Sequence, residues 1–491
     1  MNIIDFLPFS VLAPLIVAPL CALLPGRTLP WLVAFLSVAV SAAISAWLLS
    51  AAWSTSLSYH FGDWPPPFGI EYRVDAVNAL LALLISGIAL LLLPWARTSV
   101  NHEIPERQGP FYALFLLALS GLMGITLTGD AFNVFVFLEI SSLSTYALIA
   151  HGSDRRALKA AFRYLIMGTI GATFFLIGIG FLYAMTGTLN MADLAERLPQ
   201  VSDSNAVHAA LAFIVVGLGL KLALFPLHLW LPSAYAFAPN FITAFLAATA
   251  TKVALYVMLR FIFTVFSPEF SFTAIPLAAV LMALAIAGMV AGSWVAMFEG
   301  NLKRMLAYSS VAQVGYMVLG ISLVTAAGVA AGILHLFNHA LMKAALFAAM
   351  GTIYYQIGSV RLTEIAGMGR YMPLTFTAFA LAGLSLIGVP LTAGFTSKWY
   401  LVIAALDAGQ PWLIAVIMAT SLLAIYYIWR VVEAAWFREP PEGATLPDEA
   451  PLSLLVPLWV LVALNFYFGL DTRLNVGGAE AAARALIGGA P

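Results

Sequence analysis

Apolar runs near twenty residues follow one another from Phe6 to Leu470, separated only by short polar stretches. At about 1.5 Å of rise per residue, a helix of that length spans the ~30 Å hydrocarbon core of a bilayer. Turn residues and charges divide the hydrophobicity into segments near 7–25, 29–51, 75–95, 110–129, 131–151, 160–186, 206–238, 240–264, 272–298, 303–324, 327–356, 372–405, 411–437 and 451–470. The pattern predicts an all-α polytopic membrane protein of about fourteen transmembrane helices. The first 25 residues carry Asp5 and no Lys or Arg, unlike the positive start of a secretory signal, and read as the first membrane helix. The longest connections, Ser54 to Glu71, Asn190 to Ser204 and Glu439 to Ala450, are rich in Pro, Asp and Ser and read as surface loops.

Two segments contain breaks. In the seventh, Lys221 is followed by Pro226 within LALFPLHLWLP, and in the twelfth Gly388-Val389-Pro390 precedes Lys398. Proline leaves backbone groups that lipid cannot satisfy, so such breaks belong where protein or water lines a cavity. Paired broken helices point to an ion path and to inverted repeats. The breaks recur at a spacing of five segments, which predicts two inverted five-helix repeats. The division is 1–109 for helices 1 to 3, 110–264 for the first repeat, 265–437 for the second, and 438–491 for helix 14 and a tail.

Charge sets the orientation. Of 22 Lys and Arg, one side receives Arg27, Arg97, Arg107, Arg155, Arg156, Lys159, Arg163, Lys303, Arg304, Arg361, Arg370, Arg430 and Arg438. The other receives Arg73, Arg197, Arg260, Arg473 and Arg484. The richer side is expected to be cytoplasmic and both termini periplasmic, in a cell inner membrane. With 62% hydrophobic and 9% charged residues the chain has too little polar surface for a soluble globule. A net charge of -1 gives no basic surplus for nucleic acid. The single Cys21 excludes an internal disulfide or a Cys-ligated cluster, so redox chemistry is expected in another subunit and no cofactor here.

Lys221, Lys252, Lys343 and Lys398 fall inside apolar segments. Each costs roughly 2.5–3.5 kcal/mol at a helix centre; with Glu139 the sum exceeds ~10 kcal/mol, comparable to the folding stability of an ordinary domain. Such residues are expected to face a hydrated interior and to act there. Glu139 lies midway along the fifth segment with Ser142 on the same face. Desolvation disfavours a charged amine and a nearby carboxylate restores it, so Glu139 with Lys221 can form a two-state switch. The Pro226 break would set Lys221 beside freed carbonyls and water. The structural alternative is a static salt bridge. His335, His339 and Lys343 recur at i, i+4 and i+8 on one helix face and suggest a relay, with His228 as a further candidate. An HxxxH spacing can hold a metal, but with only His228 as a further deep membrane histidine and no carboxylate near in sequence, none is expected. Lys252 and Lys398 would continue the row, the alternative being snorkelling side chains.

Five stretches carry a family likeness: TGDAFNVFVFLEI, KLALFPLHLWLPSAYAFAP, NLKRMLAYSSVAQVGYMVLG, HLFNHALMKAALF and VPLTAGFTSKWYLV. The chain resembles the proton-translocating antiporter-like subunits shared by respiratory complex I and the multisubunit Mrp-type sodium/proton antiporters. The resemblance implies that Glu139, Lys221, Lys252 and Lys398 are core proton-path residues, with His335 and His339 as the central relay. Length, the lysine at 398 and the TGDAFNVFVFLEI wording resemble the D-type member of the Mrp antiporters. The implied partners are the other Mrp subunits (A, B, C, E, F and G types), protons, and Na+ or another monovalent cation. The EGN before Lys303 departs from the family, which more often has a further acidic or glutamine residue there.

The leading reading is therefore an ion-transporter subunit, not an enzyme. The alternative is a pumping subunit of complex I (NADH:quinone oxidoreductase) or of a membrane-bound hydrogenase. A reading of another class is a membrane-embedded acyltransferase using His335, which would need a nucleophile or carboxylate beside the histidine in a lipid-accessible pocket.

Overall fold

The computed structural model describes residues 3–53, 55–273 and 275–487. The expected loop start at Ser54 and the outermost residues of both termini lie outside the described residues.

The apolar segments fold as α1 (Phe9–Leu23), α2 (Thr28–Ala51), α3 (Ala76–Glu103), α4 (Gln108–Leu127), α5 (Ala131–Ala150) and α6 (Arg156–Thr186). A short α7 (Met191–Arg197) precedes α8 (Asn205–Leu222) and α9 (Leu231–Phe237), the two parts of the broken seventh segment. Then come α10 (Asn240–Leu259), a π-helical turn Arg260–Val265, α11 (Pro268–Thr273), α12 (Leu277–Phe298), α13 (Leu302–Ser322) and α14 (Ala326–Ile357). The twelfth segment is split into α15 (Pro373–Ile387) and α16 (Ala393–Asp407), followed by α17 (Trp412–Phe437), α18 (Leu452–Leu470) and α19 (Asn475–Ile487). Among the described residues 13 helices are long and apolar enough to cross a membrane. With the split pair α15 and α16 they account for all fourteen expected crossings.

Side-chain caps mark where many helices begin. Asp75 and Asn78 form a reciprocal capping box at α3, and Asp130, Asn301, Thr325 and Thr392 accept from first-turn backbone amides of α5, α13, α14 and α16. Each satisfies a donor that lipid would leave bare. The long loop after α2 contains a hairpin, β1 (Leu57–His60) against β2 (Glu71–Val74). Glu71 ties it down: its backbone carbonyl accepts from Gly129 N–H at 3.0 Å, and its carboxylate from Asn190 at 2.7 Å and Ser58 at 2.6 Å.

Burial is uneven. The apolar spans of α10, α13 and α14 are almost wholly enclosed, while α1, α2, α6, α12, α17 and α18 form a rim with exposed Leu, Ile, Val, Phe and Trp faces, as expected of helices that meet lipid or partner subunits. α14 is the central post and packs against α3, α10, α13, α15, α16, α18 and α19. The packing of α4 on α5 and of α6 on α8 recurs as α12 on α13 and α14 on the α15–α16 pair. Because five crossings is an odd number, the second set enters from the face opposite to the first.

Alternate loops meet on two faces. On one, Lys303 donates to Ala238 O at 3.1 Å, Gln356 to the carbonyls of Asp448 and Glu449, and the Glu449 carboxylate accepts from Leu374 and Thr375 at the start of α15. On the other lie the hairpin, the Asp130–Asn190 bridge and the Asp75–Arg260 ion pair at 2.8 Å. The first and last described residues belong to the hairpin face.

Candidate functional site

The first break is closed by protein. α8 ends at Leu222, and Ala223 after it, with a φ of 58°, reverses the chain. The last carbonyls of α8 find partners: Leu224 N–H donates to Gly219 O at 2.9 Å and the Trp230 indole to Leu220 O at 2.9 Å. Pro226 sits in the turn beyond the helix end, so the break is set by the left-handed residue before it. Lys221, buried at the end of α8, turns to α5, donating to Ser142 Oγ at 2.6 Å with Tyr146 OH at 3.5 Å. This corrects the expectation that Lys221 sits among freed carbonyls. Glu139 lies one turn before Ser142 on α5, half-buried, and its Oε1 has no hydrogen-bond partner among the described groups. Glu139 and Lys221 are close enough for their charges to interact but form no ion pair; Ser142 stands between them in sequence and on the shared face. His228 lies in the same turn, stacked on Phe225 with centroids 5.3 Å apart and edge-on to Tyr308 of α13 at 6.2 Å.

A cavity of about 40 Å³ leads away from Lys221, lined on the α5 side by Ser141, Ser142 and Thr145 and on the α10 side by Ala250, Val253, Ala254 and Val257. It is large enough and polar enough on one wall to hold water. Beyond it the row continues on the enclosed helices. Lys252 of α10 is fully buried and donates to Ala247 O and to Thr251 Oγ1 at 3.3 Å. It lies within charge range of His335, His339 and Lys343 on α14. Lys343 donates to Leu306 O at 2.7 Å and Ser309 Oγ at 2.5 Å, both on α13. The rings of His335 and His339 are near-parallel with centroids 6.1 Å apart, and neither nitrogen of His339 has a partner among the described groups. His335 is held at both ends, Nδ1 at 2.8 Å from Ser397 Oγ and Nε2 at 2.7 Å from Gln313 Oε1.

The second break is built differently. Gly388, at φ 90°, ends α15. Lys398, one turn into α16, reaches back to its open end, donating to Leu386 O at 3.1 Å and Ile387 O at 2.8 Å, and to Ser421 Oγ of α17 at 3.0 Å. Its ammonium stands 4.8 Å from the centroid of the Tyr316 ring, and Tyr316 OH in turn meets Thr420 at 2.6 Å and Ser421 at 3.2 Å. Pro390 lies in the turn between α15 and α16. The freed carbonyls expected around Lys221 are thus found around Lys398.

The structure brings Lys252, His335, His339 and Lys343 together, with Ser397, the chain neighbour of Lys398, linking His335 toward it and Gln313 holding the other nitrogen of His335. Lys221 stands across the small cavity, with Glu139 one turn from Ser142 on α5. Ser309, Gln313 and Tyr316 supply polar contacts along the row that sequence reasoning does not single out; they form an i, i+4, i+7 stripe on α13, which is the signal that could find them. Lys303, expected beside Arg304 as a face charge at the start of the segment 303–324, is 5% exposed in the first turn of α13. Arg260, near the end of the predicted segment 240–264 and counted with the charges of the sparser side, is buried against Asp75.

Among the described residues, no lysine takes part in an ion pair. Buried charges that serve structure are normally paired. These ammonium groups are held by hydroxyl and carbonyl oxygens, which tolerate either protonation state, and a chain of such groups can pass a proton along.

Comparison with known proteins identifies the family of the chain. Residues 128–424 match the family described as NADH:quinone oxidoreductase/Mrp antiporter, TM. The chain is 44% identical to NADH-quinone oxidoreductase subunit N of Desulforudis audaxviator over 92% of its own length and 93% of that protein. It is 30% identical to the D-type chain of the Na(+)/H(+) antiporter of Bacillus subtilis over 98% of this chain and 97% of that one. A chain of the Mrp complex from Dietzia superposes with a TM-score of 0.91 at 28% identity, covering 99% of this chain and 98% of that one. Helical architecture, family match and full-length relatives together make this chain a multi-pass membrane protein that belongs to the NADH:quinone oxidoreductase/Mrp antiporter family, an antiporter-like subunit of the Mrp or complex I kind.

Proposed function

We propose that this chain carries protons across the membrane along Glu139, Lys221, Lys252, His339, Lys343, His335 and Lys398, as one subunit of a larger complex. The observation that carries the reading is the series of buried amines held by neutral oxygens across the enclosed helices. Negative charge on Glu139 stabilises an ammonium at Lys221; loss of that charge frees the proton toward the cavity and Lys252. His339 and His335 can then accept and donate in turn, and Lys398 holds the far end. The repeats 110–264 and 265–437 each supply one break, and His228 lies in the turn of the first break, against Tyr308 of the second repeat.

The driving reaction has two supported readings. Exchange with Na+ or another monovalent cation, beside subunits of the Mrp A, B, C, E, F and G types, is supported by the full-length superposition on the Mrp chain. Redox-driven pumping in a complex I-like assembly is supported by the higher identity to the relative named as a quinone oxidoreductase subunit. In inverted vesicles carrying the whole complex, cation-dependent collapse of a pH gradient without an electron donor supports the first, and proton uptake only on adding a donor supports the second. Activity of either kind that persists unchanged in Lys221→Ala would sink the proton-row reading. An acyltransferase is disfavoured: His335 is 1% exposed with both nitrogens engaged, which leaves no face for a lipid substrate.

The Lys303 face is taken as cytoplasmic and both termini as periplasmic in an inner membrane. A cysteine introduced at Arg155, with Cys21 replaced, is expected to resist impermeant labelling of intact cells; labelling from outside would reverse the orientation.

A further inference from the structure

We propose that the polar bowl on the Lys303 face is the mouth through which protons reach Lys343, with the Phe347 ring as an apolar plug between them. The proposal rests on the proton-row reading but draws on residues outside that row.

The bowl has a volume of about 410 Å³ and lies where α3, α9, α13 and the ends of α6 and α14 converge. Its charged lining is balanced, with Glu103, Asp154 and Glu364 against Arg156, Lys303 and Arg361. The outer groups satisfy one another, since Asp154 pairs with Arg156 and Arg361 with Glu364. Glu103 and Lys303 remain at the floor. The Glu103 carboxylate caps α10, accepting from Asn240 N–H at 3.1 Å, and takes Ser99 Oγ at 2.8 Å. The buried Lys303 ammonium is within its charge range, donates to Ala238 O at 3.1 Å, and stands 5.9 Å from the centroid of Tyr354.

Tyr354 extends the relay stripe. His335, His339, Lys343 and Phe347 follow at i+4 steps on α14, and Tyr354 lies two turns past Phe347 on that helix, about 10 Å along the axis. Lys343 Nζ is 5.8 Å from the centroid of Phe347, and Tyr235 meets the same ring edge-on at 5.8 Å. Phe347 and Tyr235 are each 1% exposed. Lys303 above Tyr354 and Lys343 above Phe347 are therefore two amines on one line, divided by a short apolar stretch. A constriction of this kind conducts when it wets and closes when it dries.

The test uses the assembled complex with Cys21→Ser as background. Lys303→Cys is expected to react with 2-aminoethyl methanethiosulfonate added on the Lys303 face, and Phe347→Cys to remain unreactive. Exchange, slowed in Lys303→Cys, should recover after that reagent restores an ammonium and should not recover after the neutral methyl reagent. Phe347→Ala, with the plug shortened, should speed the passive decay of an imposed pH gradient, whereas Phe347→Leu should not. An unreactive thiol in Lys303→Cys, equal rescue by the methyl reagent, or an unchanged leak in Phe347→Ala would each overturn the proposal. Labelling of Lys303→Cys is repeated with Lys221→Ala added, where exchange is expected to be absent. Labelling there supports the mouth even if the row fails, and lost labelling with exchange intact counts against the mouth alone.

Discussion

The two broken helices look alike in sequence, each with a proline near a buried lysine, yet they hold that lysine by different means. Lys221 precedes its break, the freed carbonyls are taken by Leu224 and the Trp230 indole, and its ammonium depends on the hydroxyls of Ser142 and Tyr146. Lys398 follows its break and itself closes the carbonyls of Leu386 and Ile387. The first lysine is a guest of the neighbouring helix; the second is part of the backbone closure of its own. Chemistry and stability are therefore separable at Lys221 and fused at Lys398.

Removing each amine should expose that contrast most strongly. Lys221→Ala is expected to abolish coupled transport while the thermal stability of the purified complex holds, because hydroxyls left behind can turn to other acceptors. Lys398→Ala is expected to abolish transport and also to lower stability, since the buried Leu386 carbonyl loses its donor at about 1–3 kcal/mol and the part-buried Ile387 carbonyl loses one at a smaller cost. Equal melting temperatures for the two variants would erase the distinction. Next in size is Gly388→Ala. A Cβ there would lie 2.9 Å from Lys398 Cδ, and the φ of 90° is one that L side chains rarely adopt. A cost of at least ~1 kcal/mol and slower exchange are expected, and unchanged exchange would show that Lys398 tolerates displacement.

Smaller effects are expected at the guest site. Ser142→Ala removes the shortest contact of Lys221 and should slow exchange partly, while Tyr146→Phe, which removes the contact at 3.5 Å, should slow it less. The reverse order, read from initial rates in vesicles, would make the tyrosine the main partner. Smallest of all is Ala223→Gly: at φ 58° a glycine relieves backbone strain, so stability should hold or rise by under ~1 kcal/mol with transport preserved. A marked loss of transport would mean that the stiffness of this turn matters to Lys221.

Much of the site was legible because the membrane makes it so. A lysine amid twenty apolar residues stands out whatever surrounds it, and Lys221, Lys252, Lys343 and Lys398 are all buried as their cost implied. Lys303 was not legible. At the start of a helix beside Arg304 it reads as a face charge, and only the end of α9 arriving above it, with the Ala238 carbonyl, makes it interior. α19 escapes the hydropathy reading for a different reason: an Ala-rich stretch with Glu480 and Arg484 has helix propensity without the hydropathy that located the other segments.

The sequence by itself determined the fourteen crossings, the places where two of them break and which helix face carries the histidines, because hydropathy, proline and the 3.6-residue period act locally along the chain. The tertiary structure decided which oxygen each amine meets, that Ser142 rather than Glu139 touches Lys221, and that the freed carbonyls serve Lys398. Those are lateral contacts between helices far apart in sequence, and in a membrane, where every helix satisfies its own backbone and nearly every face is apolar, packing chooses the neighbours by shape.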